Sequence, residues 1–435
     1  MVRKILVTPF QKFVRIESLS GILLFCATLL ALILANSPLA ERFQSLWQFK
    51  LGIVTPGFEL VKPLILWIND GLMAIFFFVI GLEIKRELLI GELNSVKKAS
   101  FPLFAAIGGM LVPVIIFLIL NKTPENSHAW GIPMATDIAF SLAILQLLGK
   151  RVPLGLKVFL IAFAIVDDLG AVMVIALFYS ESINWPLIAI AIGLLAILFF
   201  FSYRRIDIKG FSLIIGIVIW VLFLKAGIHP TIAGVLLAFT IPIRQRVGRK
   251  AYVEKLCDIV DDIKETESPA SPLLSKDQIE LIDELEEWTE KVQSPLQHLE
   301  HKLHNWVAFF IMPVFALSNA GVGFQGGGNL DSMLGGIIVI SLVAGKLIGV
   351  TLFSWISIKL GAAELPEEVQ FKQIIGIALL AGVGFTMSIF VANLAFFGNT
   401  ILLDSAKAGI LVGSLIAGVL GYVVLRVTSS NKTAH

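Results

Sequence analysis

Residues 154–178 read LGLKVFLIAFAIVDDLGAVMVIALF, an apolar run that carries two adjacent aspartates near its middle. About 20 apolar residues are needed for a helix to cross the hydrocarbon core of a bilayer. A charged side chain at the bilayer centre costs at least ~2.5–3.5 kcal/mol, so one that persists there is a candidate for function. The run therefore predicts a transmembrane helix, with Asp167 and Asp168 as functional residues at its centre.

The composition of the whole chain indicates the same class of protein. The apolar fraction is 57% and the charged fraction is 15%, whereas soluble domains have roughly 45–50% and about 25%. The mean hydropathy is +0.88. Cys26 lies in an apolar run and Cys257 in a polar segment, so no disulfide is expected. No small-residue cleavage site follows the first apolar run, which predicts a retained first span.

Twelve apolar runs are long enough, or nearly so, to be transmembrane helices. The seventh and eighth runs are short, and the boundary between them is the least defined. We predict an all-α integral membrane protein with about twelve transmembrane helices, forming a single transmembrane domain over residues 1–435. The runs cover residues 15–35, 63–84, 99–120, 131–148, 154–178, 184–203, 209–225, 227–243, 303–322, 333–358, 370–397 and 403–426.

The distribution of Lys and Arg predicts the orientation, because cytoplasmic connections are enriched in these residues. If the connections alternate between the two sides, 27 of the 34 basic residues share the side of the N-terminus, 6 lie opposite, and Lys346 lies inside a span. Both termini are therefore predicted to be cytoplasmic.

Residues 244–302 form a polar stretch between the eighth and ninth spans. Within it, 277–292 (DQIELIDELEEWTEKV) places apolar residues at helical spacing. The stretch is predicted to be a solvated cytoplasmic loop with one amphipathic helix, and a regulatory docking element is the alternative.

Four charged residues fall deep inside predicted spans: Asp137, Asp167, Asp168 and Lys346. Three acids and one base cannot all be paired, so a structural salt bridge leaves two carboxylates unexplained. A carboxylate withdrawn from water holds a proton more tightly, and its oxygens also suit a small hard cation. Adjacent residues on a helix point about 100° apart. We therefore expect one aspartate to face an ion cavity and the other to face a partner such as Lys346.

Two of the predicted spans carry signals of interrupted helices. GIPMATDIAFS (131–141) and LLAGVGFTMSIF (379–390) combine glycine with Thr, Ser or Asp at membrane depth. Unwound backbone is tolerated there only where it lines a cavity or is buried in protein. These are the fourth and eleventh spans, the middle members of two groups of three that run in opposite senses. We predict inverted repeats whose interrupted helices cross near the midplane.

At this point the sequence closely resembles the NhaA-type sodium/proton antiporter family across nearly the whole chain. The resemblance is carried by GLEIKRELLIGEL (81–93), ATDIAFSLAIL (135–145), IVDDLGAV (165–172), GIHPTIAGV (227–235), LHNWVAFFIMPVFALSNAGV (303–322), GKLIG (345–349) and GVGFTMSIFVANLAF (382–396).

The resemblance implies electrogenic export of Na⁺, and of Li⁺, in exchange for protons by alternating access in the bacterial inner membrane, serving sodium and pH homeostasis. Asp167 and Asp168 would bind the ion and the protons. Asp137 and Lys346, beside Thr136, would balance charge where the interrupted helices cross. Whether Lys346 carries a transported proton or only pairs with Asp167 stays open. The chain is not expected to be an enzyme, to hold a cofactor or to bind nucleic acid.

The resemblance also implies activation at alkaline pH. A solvated rim of charges at a helix end is the alternative for the matching positions, and a structural role is the alternative for His229. The long 244–302 stretch departs from the family pattern and leaves the pH set-point open. The outer connection 36–62 is expected to form a hairpin through which the family dimerises. The candidate sensing residues are Glu83, Arg86, Glu87, His229, Glu300, His301 and His304.

Other transport and enzyme classes fit the residues less well. An organic-anion symporter needs unpaired cations in its pocket, and only Lys346 is available. A channel needs acidic rings and no alternating access, so proton counterflow distinguishes it. A membrane aspartyl hydrolase usually carries YD and GxGD runs, and a primary pump needs a nucleotide domain, neither of which occurs in the sequence.

Overall fold

The chain is described from a computed structural model, and apolar helices make up most of it. The residues that the structure describes are 9–56, 58–91, 93–180, 183–204, 209–245, 247–266, 274–323, 330–366 and 368–429.

The first half of the chain contains ten α-helices and a β-hairpin within the described residues. Its elements are α1 (Pro9–Ala35), α2 (Ala40–Gln48), β1 (Lys50–Thr55), β2 (Phe58–Pro63), α3 (Leu64–Leu66), α4 (Met73–Leu89), α5 (Val96–Leu120), α6 (Ile138–Leu147), α7 (Leu154–Phe178), α8 (Trp185–Tyr203), α9 (Lys209–Lys225) and α10 (Thr231–Thr240).

The second half is helical wherever it has regular structure in the described ranges. Its elements are α11 (Arg249–Glu265), α12 (Lys276–Val292), α13 (Pro295–Trp306), α14 (Met312–Asn319), α15 (Ser332–Ile340), α16 (Lys346–Lys359), α17 (Phe371–Ala381), α18 (Phe385–Ala395) and α19 (Thr400–Thr428).

Short turns of other helical types join several of these helices. A π-helical turn inserts one extra residue into an otherwise continuous α-helix. Three pairs of helices are therefore each one long helix: α3 with α4, α13 with α14, and α15 with α16. The π-helical turns are Trp67–Leu72, Val307–Ile311 and Ser341–Gly345, and the 3₁₀ helices are Pro124–Met134 and Gly149–Arg151.

Among the described residues, six continuous helices are long and apolar enough to cross a membrane, and three bent helix pairs bring the number to nine if each pair is one span. The pairs are α1 with α2, bent by 114°, Pro124–Met134 with α6, bent by 47°, and α17 with α18, bent by 42°. The protein is therefore a multi-pass membrane protein. The six helices are Leu64–Leu89, Val96–Leu120, Leu154–Phe178, Trp185–Tyr203, Ser332–Lys359 and Thr400–Thr428.

The eighth predicted span, 227–243, is shorter in the structure than its apolar run. Only Thr231–Thr240 is helical. Gly227 adopts a φ of 81°, which ends α9, and Pro230 keeps the next residues from continuing that helix. Pro242 then disfavours helical backbone at Ile241, which is extended.

Close helix contacts hold the core together, most tightly between α5 and α16. A Cβ atom built on Gly108 would lie 2.2 Å from the carbonyl oxygen of Gly349, and one built on Gly349 would lie 2.1 Å from that of Gly108. Small residues let two helix backbones approach in a membrane protein, where packing and not hydrophobicity drives helix association. This contact fixes the depth of α16, and therefore that of Lys346, against α5.

The outer connection contains the expected hairpin. Strands β1 and β2 are antiparallel, with Lys50 opposite Pro63 and Ile53 opposite Leu60. Every side chain of β1 is exposed. Strand β1 therefore lies at the surface of the chain.

Residues 244–302 contain more structure than the single predicted helix. The predicted amphipathic helix is α12, which Ser275 begins with a capping box. The additional helix α11 runs antiparallel to it, since Tyr252 Oη lies 3.1 Å from Thr289 Oγ1 and Lys255 Nζ lies 2.8 Å from Glu284 Oε1. The predicted amphipathic helix is therefore confirmed, whereas the expectation of one helix in this stretch was wrong. The two helices form an antiparallel pair, which we call the inserted pair (Arg249–Glu265 and Lys276–Val292).

Candidate functional site

The two central aspartates of α7 have different neighbours. Both are buried, with 1% of Asp167 and 7% of Asp168 exposed. Asp167 accepts hydrogen bonds from Lys346 Nζ on both carboxylate oxygens, at 3.0 Å each. Asp168 makes no hydrogen bond or ion pair through its side chain with any described residue, and it lines a narrow cavity. The two carboxylates can therefore do different chemistry.

Lys346 is completely buried and surrounded by acceptors. It begins α16 directly after the π-helical turn Ser341–Gly345. Besides Asp167, its ammonium group donates to Thr136 Oγ1 at 2.9 Å and to the carbonyl oxygen of Met134. It also lies 5.7 Å from the centroid of the Phe163 ring. A buried ammonium group is tolerated only when its hydrogens are satisfied in this way.

Two helix breaks meet beside Lys346. The first lies between Met134 and Ile138, and the second between Ala381 and Phe385. The Asp137 amide donates to the carbonyl oxygen of Val383 at 2.6 Å, and Thr136 Oγ1 donates to that of Ala381 at 2.9 Å. Backbone groups left unpaired by one break are therefore satisfied by the other break, as burial requires.

Asp137 joins the N-terminal ends of two helices. Its Oδ1 accepts from the Phe140 amide of α6 at 3.2 Å. Its Oδ2 accepts from the amide of Thr386 at 3.1 Å and from the Thr386 hydroxyl, both at the start of α18. A helix N-terminus carries a partial positive charge and its C-terminus a partial negative charge. The carboxylate of Asp137 thus faces the positive ends, and Lys346 faces the carbonyl end of Pro124–Met134.

The cavity at Asp168 extends towards Glu83, in the C-terminal half of α4. Its polar lining is Thr136, Asp137, Asp168, Thr386, Ser20, Glu83 and His304, and the remaining lining is apolar. Three carboxyl groups therefore line one narrow and largely apolar cavity. Carboxylate and hydroxyl oxygens are ligands that suit hard cations.

Most of the candidate sensing residues lie together at the cavity mouth. His304 Nδ1 lies 3.7 Å from Glu83 Oε1. Arg86 pairs with Glu87 at 3.0 Å and with Glu300 at 3.4 Å. Burial raises the pKa of Glu300 to about 7, against the lowering effect of the Arg86 guanidinium. We call Glu83, Arg86, Glu87, Glu300 and His304 the mouth cluster.

His301 and His229 do not join the mouth cluster. His301 is exposed on α13. His229 is half-buried near the N-terminal end of α4, 3.7 Å from Asp70 Oδ1 and 2.7 Å from Thr231 Oγ1. Asp70 precedes Glu83 by 13 positions, or about 20 Å of helix. His229 therefore belongs to a separate group.

Asp70 and Lys62 complete that group, and the sequence analysis missed them. Lys62 Nζ lies 2.6 Å from Asp70 Oδ2. The signal was present, because Asp70 is an acid within the apolar run 63–84. The carbonyl oxygens of Met134 and Ala381 were also missed, and no side-chain pattern could have indicated them.

Fold and site together define a multi-pass membrane protein in which a buried lysine–carboxylate pair lies beside two bent helix pairs. The chain matches the family described as Na⁺/H⁺ antiporter 1 over residues 11–425, and it belongs to that family. This confirms the resemblance stated from the sequence.

Curated relatives cover almost the entire chain. An Na⁺/H⁺ antiporter NhaA of Bacteroides thetaiotaomicron is 46% identical over 425 residues, which are 96% of this chain and 97% of the relative. That of Oleidesulfovibrio alaskensis is 47% identical over 431 residues, with 97% and 94% covered. An Na⁺/H⁺ antiporter NhaA 1 of Saccharophagus degradans is 44% identical over 434 residues, with 98% and 93% covered.

Proposed function

We propose that this chain is a secondary active antiporter that exports Na⁺, and Li⁺, in exchange for protons across the bacterial inner membrane. The exchange would be electrogenic, with more protons than sodium ions per cycle, and would serve sodium and pH homeostasis. The observation that carries the proposal is the buried Asp168 carboxylate, bonded to no other described residue and lining a cavity with Asp137 and Glu83.

Competition between a proton and a cation at Asp168 would couple the two fluxes. A carboxylate oxygen binds either a proton or a hard cation, and the second ligand must wait until the first leaves. If the site opens to one side of the membrane at a time, each Na⁺ carried outwards requires protons to return. Asp167 would supply the second proton site of the pair, since its carboxylate is adjacent on α7.

Lys346, Thr136 and Asp137 would compensate charge around this exchange. When Asp167 releases its proton, the ammonium of Lys346 at 3.0 Å balances the carboxylate. When Asp167 is protonated, the Thr136 hydroxyl and the Met134 carbonyl still hold Lys346. The lysine is thus held in both states, whether or not it carries a transported proton itself.

Alternating access would come from twelve spans arranged as inverted repeats, with both termini in the cytoplasm. In this proposal the bent pairs Pro124–Met134 with α6 and α17 with α18 are the interrupted helices. Support comes from their mutual hydrogen bonds through Asp137, Thr136, Ser141 and Ser388, which would let the two helices move as one unit.

Activation at alkaline pH would arise in the mouth cluster, with His301 and His229 as further candidates. Support comes from the position of Glu83, which lines the cavity with Asp168 while lying 3.7 Å from His304. Loss of protons from the cluster adds negative charge at the mouth, which would attract Na⁺ towards Asp168. The exposed hairpin of residues 50–63, in the outer connection 36–62, would mediate homodimer formation.

Proton flux in proteoliposomes tests the exchange. Vesicles with a trapped pH dye and an imposed pH gradient receive Na⁺, Li⁺ or K⁺ at neutral and at mildly alkaline pH. We expect Na⁺ and Li⁺, but not K⁺, to dissipate the gradient. Asp168→Asn should abolish this response, because an amide oxygen neither exchanges a proton nor carries the charge that holds a cation.

Asp258→Asn is the matched control, because it makes the same change at an exposed position of α11. It should keep native exchange. The proposal is wrong if no cation moves protons at either pH, or if Asp168→Asn exchanges as fast as the control.

A further inference from the structure

Three helices continue beyond the Asp168 cavity in the direction away from the mouth cluster: α4, α14 and α18. Each contributes an apolar side chain to the cavity lining on the way. Three positions further along, each carries a phenylalanine that has no exposed surface. The lining residues are Ile80, Met312 and Met387, and the phenylalanines are Phe77, Phe315 and Phe390. We call these three phenylalanines the phenylalanine barrier.

Phe390 is the central ring of the barrier. Its centroid lies 5.7 Å from that of Phe77 and 6.2 Å from that of Phe315. The His229 ring also contacts it, at 5.3 Å and an angle of 89°. Aromatic rings at these separations are in contact. The barrier therefore lies between the Asp168 cavity and the group formed by His229, Asp70 and Lys62.

A cluster of three asparagines lies directly beyond the barrier on the same three helices. Asn319 of α14 and Asn69, in the π-helical turn before α4, are buried and exchange hydrogen bonds of 2.8 and 3.2 Å. Asn393 of α18 donates to Asn319 Oδ1 at 3.0 Å and to the carbonyl oxygen of Ile389 at 2.9 Å. The cluster therefore ties α18 to α14 and to the start of α4, one turn from Phe390.

Asn393 is the member of the cluster that connects it to α18. Asn319 Oδ1 also accepts from Asn69, so loss of Asn393 leaves that acceptor paired. At its other end, α18 begins with Thr386, whose amide donates to Asp137 at 3.1 Å. Movement of α18 with the bent pair that carries Asp137, relative to α14, therefore breaks the hydrogen bond of Asn393 and withdraws Phe390 from the barrier.

We propose that the route from the Asp168 cavity to the side opposite the mouth cluster passes between α4, α14 and α18, with Phe390 as its gate and Asn393 as the latch that holds the gate shut. The barrier stands on the packing, and the effect of the latch on exchange rests on the proposed function. Asn393 is a positioning residue, because it acts through α18 and does not touch the ion. Its loss should favour the form that opens opposite the mouth cluster.

A sodium leak through the purified full chain in proteoliposomes tests the barrier. A K⁺ diffusion potential set by valinomycin drives the entry of radioactive Na⁺, and a trapped dye reports proton movement. Phe390→Ala removes the central ring of a hydrophobic constriction, so Na⁺ should enter severalfold faster than with the native chain while the dye signal stays constant. If thermal unfolding shows that this variant is not folded, Phe390→Val takes its place.

Phe159→Ala is the matched control for the leak. Phe159 is a buried phenylalanine of α7, and its ring packs on Phe101 with centroids 4.9 Å apart. It lies outside the barrier, so its truncation should cause no leak. Absence of a leak in the Phe390 variant, or an equal leak in Phe159→Ala, overturns the barrier.

The latch is tested by Asn393→Leu, which keeps most of the side-chain volume and removes both hydrogen bonds. The Na⁺ concentration that half-saturates exchange is measured from each side, in right-side-out and in everted membrane vesicles. One hydrogen bond shifts an equilibrium by about two- to tenfold. The half-saturating concentration should fall by about this factor on the side opposite the mouth cluster, and stay constant or rise on the mouth side. A merely loosened fold would weaken binding from both sides.

Asn36→Leu is the matched control for the latch. The Asn36 amide also donates to a carbonyl oxygen four residues earlier, that of Leu32 at 2.9 Å, and to a distant one, that of Val322 at 2.8 Å. It should leave the ratio of the two half-saturating concentrations unchanged. An unchanged ratio in Asn393→Leu, or the same change in Asn36→Leu, overturns the latch. Absence of exchange by the native chain overturns the proposed function, whereas the leak still decides whether the barrier closes a route.

Discussion

Replacement of Lys346 by methionine tests the buried centre most directly. The change keeps most of the side-chain volume and removes the ammonium group. Asp167 then loses the donor that lies 3.0 Å from both of its carboxylate oxygens. Thr136 and Met134 lose the same donor.

The magnitude follows from the burial of the pair, since neither side chain is exposed to solvent. Removing one partner of a buried ion pair costs roughly 3–5 kcal/mol, because the other charge is left uncompensated. Asp167→Asn should cost a similar amount. The double variant has no uncompensated charge, so its loss should be about 2–3 kcal/mol smaller than the sum of the two single losses.

Thermal unfolding of the purified variants in one detergent measures these losses. We expect each single variant to unfold at a temperature lower by on the order of 5–10 °C, and the double variant to recover part of that difference. Lys250→Met is the control, because Lys250 is exposed on α11. Strictly additive losses, or a Lys346→Met variant as stable as this control, would show that the pair does not compensate charge.

Three further predictions address the helix crossing, the mouth cluster and the core. Asp137→Ala should destabilise the protein by about 1–3 kcal/mol, because two helix N-termini lose a shared acceptor. Asp137→Asn should reduce the stability less, because the amide oxygen still accepts hydrogen bonds. Equal losses of the two variants in thermal unfolding would contradict the capping of both helices by Asp137. The free energy of unfolding should fall as pH rises from the ordinary pKa of a glutamate towards the pKa of Glu300, about 7, because the folded state keeps a proton on Glu300 that the unfolded state has lost. Glu300→Gln should flatten this part of the curve of unfolding free energy against pH. An unchanged curve would refute the role of Glu300. Gly108→Ala should destabilise the protein by about 1–3 kcal/mol or more, because the added Cβ would lie 2.2 Å from the Gly349 carbonyl oxygen. Gly193→Ala on α8 is the control, because no atom lies within 4 Å of an added Cβ there. It should leave the unfolding temperature unchanged or raise it slightly.

The apolar runs of the sequence predicted the long helices well. The run 154–178 coincides with α7, and 333–358 lies within the long helix Ser332–Lys359. The run 227–243 predicted too long a helix, because hydropathy does not indicate that helix α9 ends before Gly227 and that helix α10 ends before Pro242. Hydropathy likewise gave no sign of the fold of residues 249–266, whose polar surface is satisfied by α12 and by water.

The sequence selected the buried charged residues and predicted that one of the two adjacent aspartates faces Lys346, but its pattern did not determine which one. Asp137, Asp167, Asp168 and Lys346 could be selected because a charge at membrane depth is costly wherever it occurs. Which aspartate bonds Lys346 depends on the rotation of α7 against α16. That rotation is set by the packing of both helices on α5, where Gly108 meets Gly349 of α16 and Gly109 lies beside Phe163 of α7. No local pattern encodes it.

The sequence by itself determined the membrane class, the long spans, the family and the set of buried charges, because hydrophobic burial and the cost of charge are properties of single residues and their neighbours along the chain. Only the tertiary structure decided that Asp167 bonds Lys346, that Asp168 lines the cavity and that Asp137 caps two helices. It also placed Asn69, Asn319 and Asn393 in one hydrogen-bonded cluster, although Asn69 and Asn393 are more than 300 positions apart. Such contacts join distant segments, and their free energy depends on distances that only the packed helices define.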